Sequence, residues 1–262
     1  MPTTKIIWIV SMDQQGEARL LQNAKAAGAQ AVCIRSTSLE LPGAIGRFHR
    51  QNIKVYAWRW PAVVPGAPGA HYFAMDEAKF IAEQLIPAGL DGYIVDPESE
   101  NDGGLNDWNH ATLAPLARSF CNMIKEAAPA GFHFGITSGC AYPSPGMRPN
   151  IPWAEFVAAS DALYPQTYWR MLNNHDDAID INGGTPDKAI DRGLASWKLI
   201  AAGKPLIPMA GELEVVSGDE IAAYGARLLQ EGIDSAHFYT DADNVLPDNY
   251  TAIGNLTAAA VS

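Results

Sequence analysis

The sequence is poor in cysteine. Its 262 residues include three, Cys33, Cys121 and Cys140, odd in number and far apart. That argues against a disulfide framework and a Cys-x-x-Cys zinc site, and it fits a reducing compartment. Positive charge is also scarce. Lys and Arg total 18 against 29 Asp and Glu, a formal net charge of −11. A phosphate-binding surface needs clustered cations, so no nucleic-acid partner is expected, and electrostatic capture by an anionic surface is disfavoured. No apolar run approaches the roughly 18 residues of a membrane span. The first such run begins at Ile6 and stops at Asp13, too short for a signal-peptide core with its cleavage site. The expectation is a protein outside the membrane, cytoplasmic as synthesised, with release by another route left open. The six histidines form no His-x-His or His-Glu-x-x-His pattern, which disfavours a zinc hydrolase. No cofactor is expected.

Hydrophobic residues are plentiful, at 48% against 18% charged, an ordinary globular balance. They fall into eight short runs, at 5–12, 31–36, 53–60, 92–98, 131–138, 162–169, 205–211 and 235–241. Most are continuously apolar rather than alternating, as strands buried on both faces are. Segments with helical periodicity lie between them, including 17–27, 75–86 and 221–229. Eight strands alternating with helices predict a single (β/α)₈ TIM barrel domain over 1–262, an α/β fold that typically takes about 250 residues. The connections are asymmetric. Gly28, Gly89, Gly203 and Gly232 close helical segments shortly before the next strand, where glycine is the usual C-cap. The segments after strands, at 61–73, 99–109, 139–152 and 170–184, are long. In a (β/α)₈ barrel these build the site, at the C-terminal ends of the strands.

One strand end carries chemistry. In Gly92-Tyr-Ile-Val-Asp-Pro-Glu98, alternation places Gly92, Ile94, Asp96 and Glu98 on one face and Tyr93 and Val95 on the other. Asp96 and Glu98 then share the barrel mouth, their Cα atoms roughly 6.5–7 Å apart. Two neighbouring acids do not both ionise readily, so one is held as a proton donor beside a charged partner. Cleavage of a glycosidic bond needs such a donor for the leaving oxygen and a second group near the anomeric carbon. Glu98, nearer solvent, is assigned as the acid and Asp96 as the assisting carboxylate. Asp13, Asp241, Asp243 and Glu212 follow other strands. Asp13 and Asp241 join the catalytic candidates because the first and last strands are neighbours in a closed barrel.

Aromatic residues gather at the same end. Tyr56, Trp58 and Trp60 share a face, with Arg59 opposite; Tyr164, Gln166 and Tyr168 form a second row, followed by Trp169; His237 and Tyr239 precede Asp241. Ring faces suit sugar C–H groups, and Tyr and Gln side chains suit sugar hydroxyls. Trp60, Gln166, Tyr168, Trp169, Tyr239 and Glu212 are therefore the candidate contacts to a carbohydrate, while Tyr56 and Tyr164 read as core. Two alternatives stay open. One is a carbohydrate-binding barrel without catalysis. The other is a metal-dependent barrel hydrolase, with Ca²⁺ or Mg²⁺ on the acids of 96–102 or of Asp241 and Asp243. An aldolase is disfavoured because strand six contains no lysine.

The ordered set of Asp13, Asp96-Pro97-Glu98, Gly135-Ile136-Thr137-Ser138, Gln166-Thr167-Tyr168 and Asp241 resembles glycoside hydrolases of the family 25 lysozyme type and, more distantly, the family 18 chitinase type. The resemblance implies a general-acid role for Glu98 and, for Asp96, assistance to an N-acetyl group of the substrate. It departs from those families at two places. Gly92 and Ile94 stand where the chitinase signature has further acids, and Val10-Ser11-Met12-Asp13 replaces the lysozyme first-strand pattern.

Overall fold

The structure, a computed structural model, describes residues 2–66, 72–99, 104–173 and 177–256. Ten strands are described: β1 (Thr4–Ile9), β2 (Ala31–Arg35), β3 (Lys54–Arg59), β4 (Gly92–Val95), β5 (His133–Gly139), β6 (Ala162–Gln166), β7 (Arg170–Asn173), β8 (Asp177–Asp180), β9 (Met209–Ala210) and β10 (Ser235–Phe238). Eight of them close a barrel in the order β1-β10-β9-β6-β5-β4-β3-β2, and every pairing in it is parallel. Six of the barrel strands fall inside the apolar runs; β1 begins one residue before its run, at Thr4, and β5 ends one residue after its run, at Gly139. The α-helices described are α1 (Gln14–Ala26), α2 (Leu41–His49), α3 (Ala74–Phe80), α4 (Ala114–Ala127), α5 (Trp153–Ala159), α6 (Pro186–Trp197), α7 (Gly218–Gln230) and α8 (Pro247–Asn255). Among the described residues no helix is long and apolar enough to cross a membrane.

Two apolar layers hold the fold. Outward-facing strand residues such as Val55, Ala57, Tyr93 and Val95 pack against the helices, while Ile6, Trp8, Cys33, Trp58, Ile94 and Tyr164 fill the barrel itself. The interior is crowded enough to demand glycine. A Cβ at Gly135 would lie 2.5 Å from the Tyr164 ring, and one at Gly92 would lie 2.7 Å from the His133 carbonyl oxygen and 3.0 Å from the Tyr56 ring. Tyr164 in turn shares a 2.7 Å hydrogen bond with His133. Tyr56 and Tyr164 are core residues, as the sequence suggests.

Proline decides where several strands stop. The expected strand over 205–211 is interrupted at Pro208, which has no N–H for a ladder: Leu206 makes an isolated parallel bridge to Leu163, and the regular strand is Met209–Ala210. β4 ends at Val95, two residues before Pro97, although the Asp96 N–H still donates to the Arg59 carbonyl at 2.7 Å. The 75–86 helix is α3 followed by a π-helical turn, Ile81–Leu85. Gly28 and Gly232 take φ of +60° and +70°, as helix-closing glycines do. The 170–184 segment, expected as a polar loop, contains the antiparallel hairpin β7–β8. Parts of three expected loops, at 67–71, 100–103 and 174–176, lie outside the described residues.

Candidate active site

At the C-terminal ends of the barrel strands lies a pocket of about 330 Å³, within the usual range for small-molecule sites. Buried Trp8, Trp58 and Met209 form its base. Half-buried Trp60, Tyr168 and Tyr239 line it above them, and the Asp96, Glu98 and Glu212 side chains face into it. The rings make one connected set. Trp58 meets Trp8 at 5.6 Å, Trp60 at 5.0 Å and Tyr239 at 6.1 Å between centroids, and Tyr168 stacks on Tyr239 at 5.3 Å with 15° between planes. The Trp58 indole N–H donates to the Ile9 carbonyl at 3.0 Å, fixing the central ring.

Each carboxylate is held from a different strand. Asp96 is buried at 4% exposure, and the Gln166 amide at the end of β6 donates to its Oδ1 at 3.1 Å. Glu98 is half-buried; the Tyr142 hydroxyl, from the segment after β5, donates to its Oε2 at 3.2 Å. Glu212 follows β9 and accepts from the Leu172 N–H at 2.6 Å, which ties the hairpin to the pocket and brings Met171 into the lining. Burial, reinforced by the nearby carboxylates, raises the pKa of Tyr142, Tyr168 and Tyr239 above the ordinary tyrosine value. Their hydroxyls therefore stay protonated at any working pH. Tyr168 and Tyr239 offer neutral hydrogen-bonding groups beside three acids. Below the pocket, His237 accepts from the Trp8 indole at Nδ1 (3.1 Å), and burial pushes its pKa down to about 3. It is a neutral core residue.

Of the ten residues read as site candidates, Asp96, Glu98, Trp60, Gln166, Tyr168, Tyr239 and Glu212 converge on this pocket. Three do not line it. Asp13 is the N-cap of α1, accepting from the Gly16 N–H at 2.7 Å. Asp241 has a fully buried side chain that accepts from Arg19 Nε at 3.0 Å, Asn23 Nδ2 at 2.7 Å and the Tyr250 hydroxyl, joining α1 to α8. Neighbouring strand ends do bring both acids to the barrel rim, but helix α1 takes up their oxygens. Trp169 is 0% exposed and packs on Tyr224 at 5.7 Å, in the layer between barrel and helices. It follows Tyr168, so alternation turns it outward. Trp8, Met209 and Met171 are lining residues that the sequence reading missed. The same alternation marks Trp8, two residues after inward Ile6; Met171 depends on a hairpin that has no clear pattern. Among the described residues no group of three or more His, Cys, Asp or Glu is placed to hold a metal ion. Arg19 also binds Asp243. Glu100 and Asp102 of the 96–102 run lie outside the described residues.

This geometry defines a (β/α)₈ barrel with an acidic, aromatic-lined pocket at its C-terminal mouth. Solved structures share the architecture. The spore cortex-lytic enzyme SleL of Bacillus cereus matches with a TM-score of 0.64 at 10% identity, over 95% of this chain and 73% of that one. A chitinase from Chromobacterium violaceum matches with 0.60 at 10% identity, over 98% and 99%. An endo-1,4-beta-mannanase from Rhizomucor miehei matches with 0.61 at 11% identity, over 94% and 90%. Likeness at such identities establishes the fold, and the family 25 part of the resemblance draws no support from these three. No protein-family model matches the sequence, and no curated protein matches it.

Proposed function

We propose that the chain is a glycoside hydrolase acting on an oligo- or polysaccharide that contains N-acetylhexosamine, with Glu98 as general acid and Asp96 as its assisting carboxylate. The observation that carries this reading is the placement of both side chains in one pocket with Trp60, Tyr168 and Tyr239. The barrel neighbours include a chitinase and a spore cortex-lytic enzyme, which supports the substrate class. In the reaction the Glu98 proton passes to the glycosidic oxygen as its bond to the anomeric carbon breaks. Positive charge develops at that carbon, the Asp96 carboxylate opposes it by supporting the 2-acetamido group, and water then adds to the carbon and gives its proton to the Glu98 carboxylate. Gln166 holds the Asp96 carboxylate in place, and Tyr142 holds that of Glu98. The sugar rings lie against the aromatic faces.

The test is turnover of chitin oligomers and peptidoglycan glycan by the parent and by Glu98→Gln, which keeps size and hydrogen bonding but has no transferable proton. General acid catalysis contributes about 10²–10⁴-fold, so the variant should lose at least roughly a hundredfold in turnover while keeping its fold. Near-parental turnover by Glu98→Gln would remove Glu98 from the mechanism. If the parent binds these glycans without cleaving them, the non-catalytic reading replaces this one.

A further inference from the structure

On the far side of Trp60 lies a second depression, of about 430 Å³. Ser36, Thr37 and Ser38, the three residues directly after β2, form its base; Asp76 and Phe80 of α3 face it, and Tyr72 and Leu39 stand at its rim. None of these residues belongs to the acidic pocket. Ser36 is 1% exposed and Ser38 is 7% exposed, and the hydroxyl oxygens of Ser36, Thr37 and Ser38 make no geometrically sound hydrogen bond among the described residues. Ser36 stands near the buried Glu77 carboxylate and stabilises its charge, so Thr37 and Ser38 are the stronger indicators. Buried hydroxyls are ordinarily paired. Unpaired hydroxyls at the base of an open cavity point to a ligand that completes them.

The rim indicates the kind of ligand. Leu39 is 94% exposed and Tyr72 is 44% exposed, so two apolar side chains stand uncovered at one mouth. A base of hydroxyls, a carboxylate at Asp76 and the rings of Tyr72 and Phe80 suit a neutral polyol with apolar ring faces. An anion suits the site poorly, because the charged group among its described lining residues, Asp76, is negative. The depression is also coupled to the acidic pocket. The guanidinium of Arg59, 0% exposed and without a hydrogen-bond partner among the described residues, lies 5.9 Å from the Trp60 ring and 5.1 Å from the Tyr72 ring. Arg35 lies 5.4 Å from the Trp60 ring. A ring lining the pocket and a ring at the rim of the depression thus rest on one buried cation.

We propose that the depression is an outer subsite, in which Ser38, Thr37, Asp76 and Tyr72 bind a glycan chain that extends from the acidic pocket past Trp60. The proposal rests on the glycosidase reading for the identity of its ligand, and the experiment separates the two. The hexamer and the dimer of β-1,4-linked N-acetylglucosamine are titrated by calorimetry into Glu98→Gln, which binds without turnover. The titrations are repeated in that background with Tyr72→Ala and, as a milder change, Ser38→Ala. The dimer is too short to fill both sites. Hexamer affinity should fall roughly five- to tenfold with Tyr72→Ala and by a smaller factor with Ser38→Ala, while dimer affinity stays unchanged. Unchanged hexamer affinity in both variants overturns the subsite. Equal losses for hexamer and dimer also overturn it, because the variants would then be acting on the pocket. If the parent hydrolyses neither oligomer but hexamer binding still depends on Tyr72, the glycosidase reading fails and the subsite stands. If neither oligomer binds, both fail.

Discussion

Asp241 separates a catalytic reading from a structural one, and its removal gives a quantitative test. Its carboxylate accepts from Arg19, Asn23 and Tyr250, with the acid itself fully buried. In Asp241→Ala all three donors lose their acceptor. Arg19 is 28% exposed at its side chain and retains Asp243, so water and that second acid offset part of its loss. Tyr250 is only 3% exposed, and its hydroxyl bears most of the penalty. An unsatisfied buried polar group costs about 1–3 kcal/mol, and breaking a buried charged pair costs about 3–5 kcal/mol. The expected loss is therefore about 3–5 kcal/mol, or a fall in Tm of roughly 6–20 °C for a domain of this size. Asp241→Asn keeps one acceptor but presents an NH₂ group to the donors, so an intermediate loss is expected. Urea unfolding followed by circular dichroism measures both. Turnover of whatever protein remains folded should stay within a few-fold of parent, because Asp241 lines no part of the pocket. A variant that loses less than about 1 kcal/mol and yet is inactive would refute this account and return Asp241 to the chemistry.

Gly135→Ala should cost about 1–3 kcal/mol by overpacking, since the new methyl meets the Tyr164 ring and the bond to His133 restrains that ring from moving away; a urea midpoint equal to the parent's would contradict it. His237 makes stability fall in acid. Its folded pKa, near 3, lies below the ordinary 6.5, so the unfolded chain takes up the proton first. The stability it contributes is complete above about pH 6.5 and is lost as pH falls towards about 3, at no more than roughly 1.4 kcal/mol per pH unit. In His237→Gln, which keeps an acceptor for Trp8, unfolding free energy should decline less steeply between about pH 6.5 and pH 4. Identical slopes for parent and variant would show that His237 is not the acid-sensitive group.

The architecture was legible because a parallel barrel buries both faces of each strand, which leaves continuous apolar runs. All eight barrel strands coincide with the expected runs, β1 and β5 exceeding theirs by one residue each. The reading failed where tertiary context rather than pattern decides. Pro208 sits in an apolar run that looks like a full strand, yet its missing N–H divides that run into an isolated bridge at Leu206 and a two-residue strand. The β7–β8 hairpin has the opposite problem. Its second strand, Asp177–Asp180, is exposed throughout, so no alternation between core and solvent is available to reveal it.

At the site, the legible part was what alternation and strand ends determine: Asp96 and Glu98 just after β4, Trp60 just after β3, Gln166 at the end of β6 and Tyr168 just beyond it. Alternation applied consistently would also have rejected Trp169 and chosen Trp8. The acids that missed the pocket show a different limit. Position at a strand end brings Asp13 and Asp241 to the rim, but the backbone of α1 needs a cap and Arg19 and Tyr250 need an acceptor, and those partners sit on helices whose approach the strand pattern does not encode. The departure at Gly92 has a related physical cause. A side chain there would meet the Tyr56 ring and the His133 backbone, so no acid fits at position 92. Ile94, the next inward position, is 0% exposed within the apolar cluster inside the barrel, where an unpaired carboxylate would be costly. Crowding at Gly92 and the apolar surroundings of Ile94 thus leave Asp96 and Glu98 as the acids that β4 and the residues directly after it bring to the pocket.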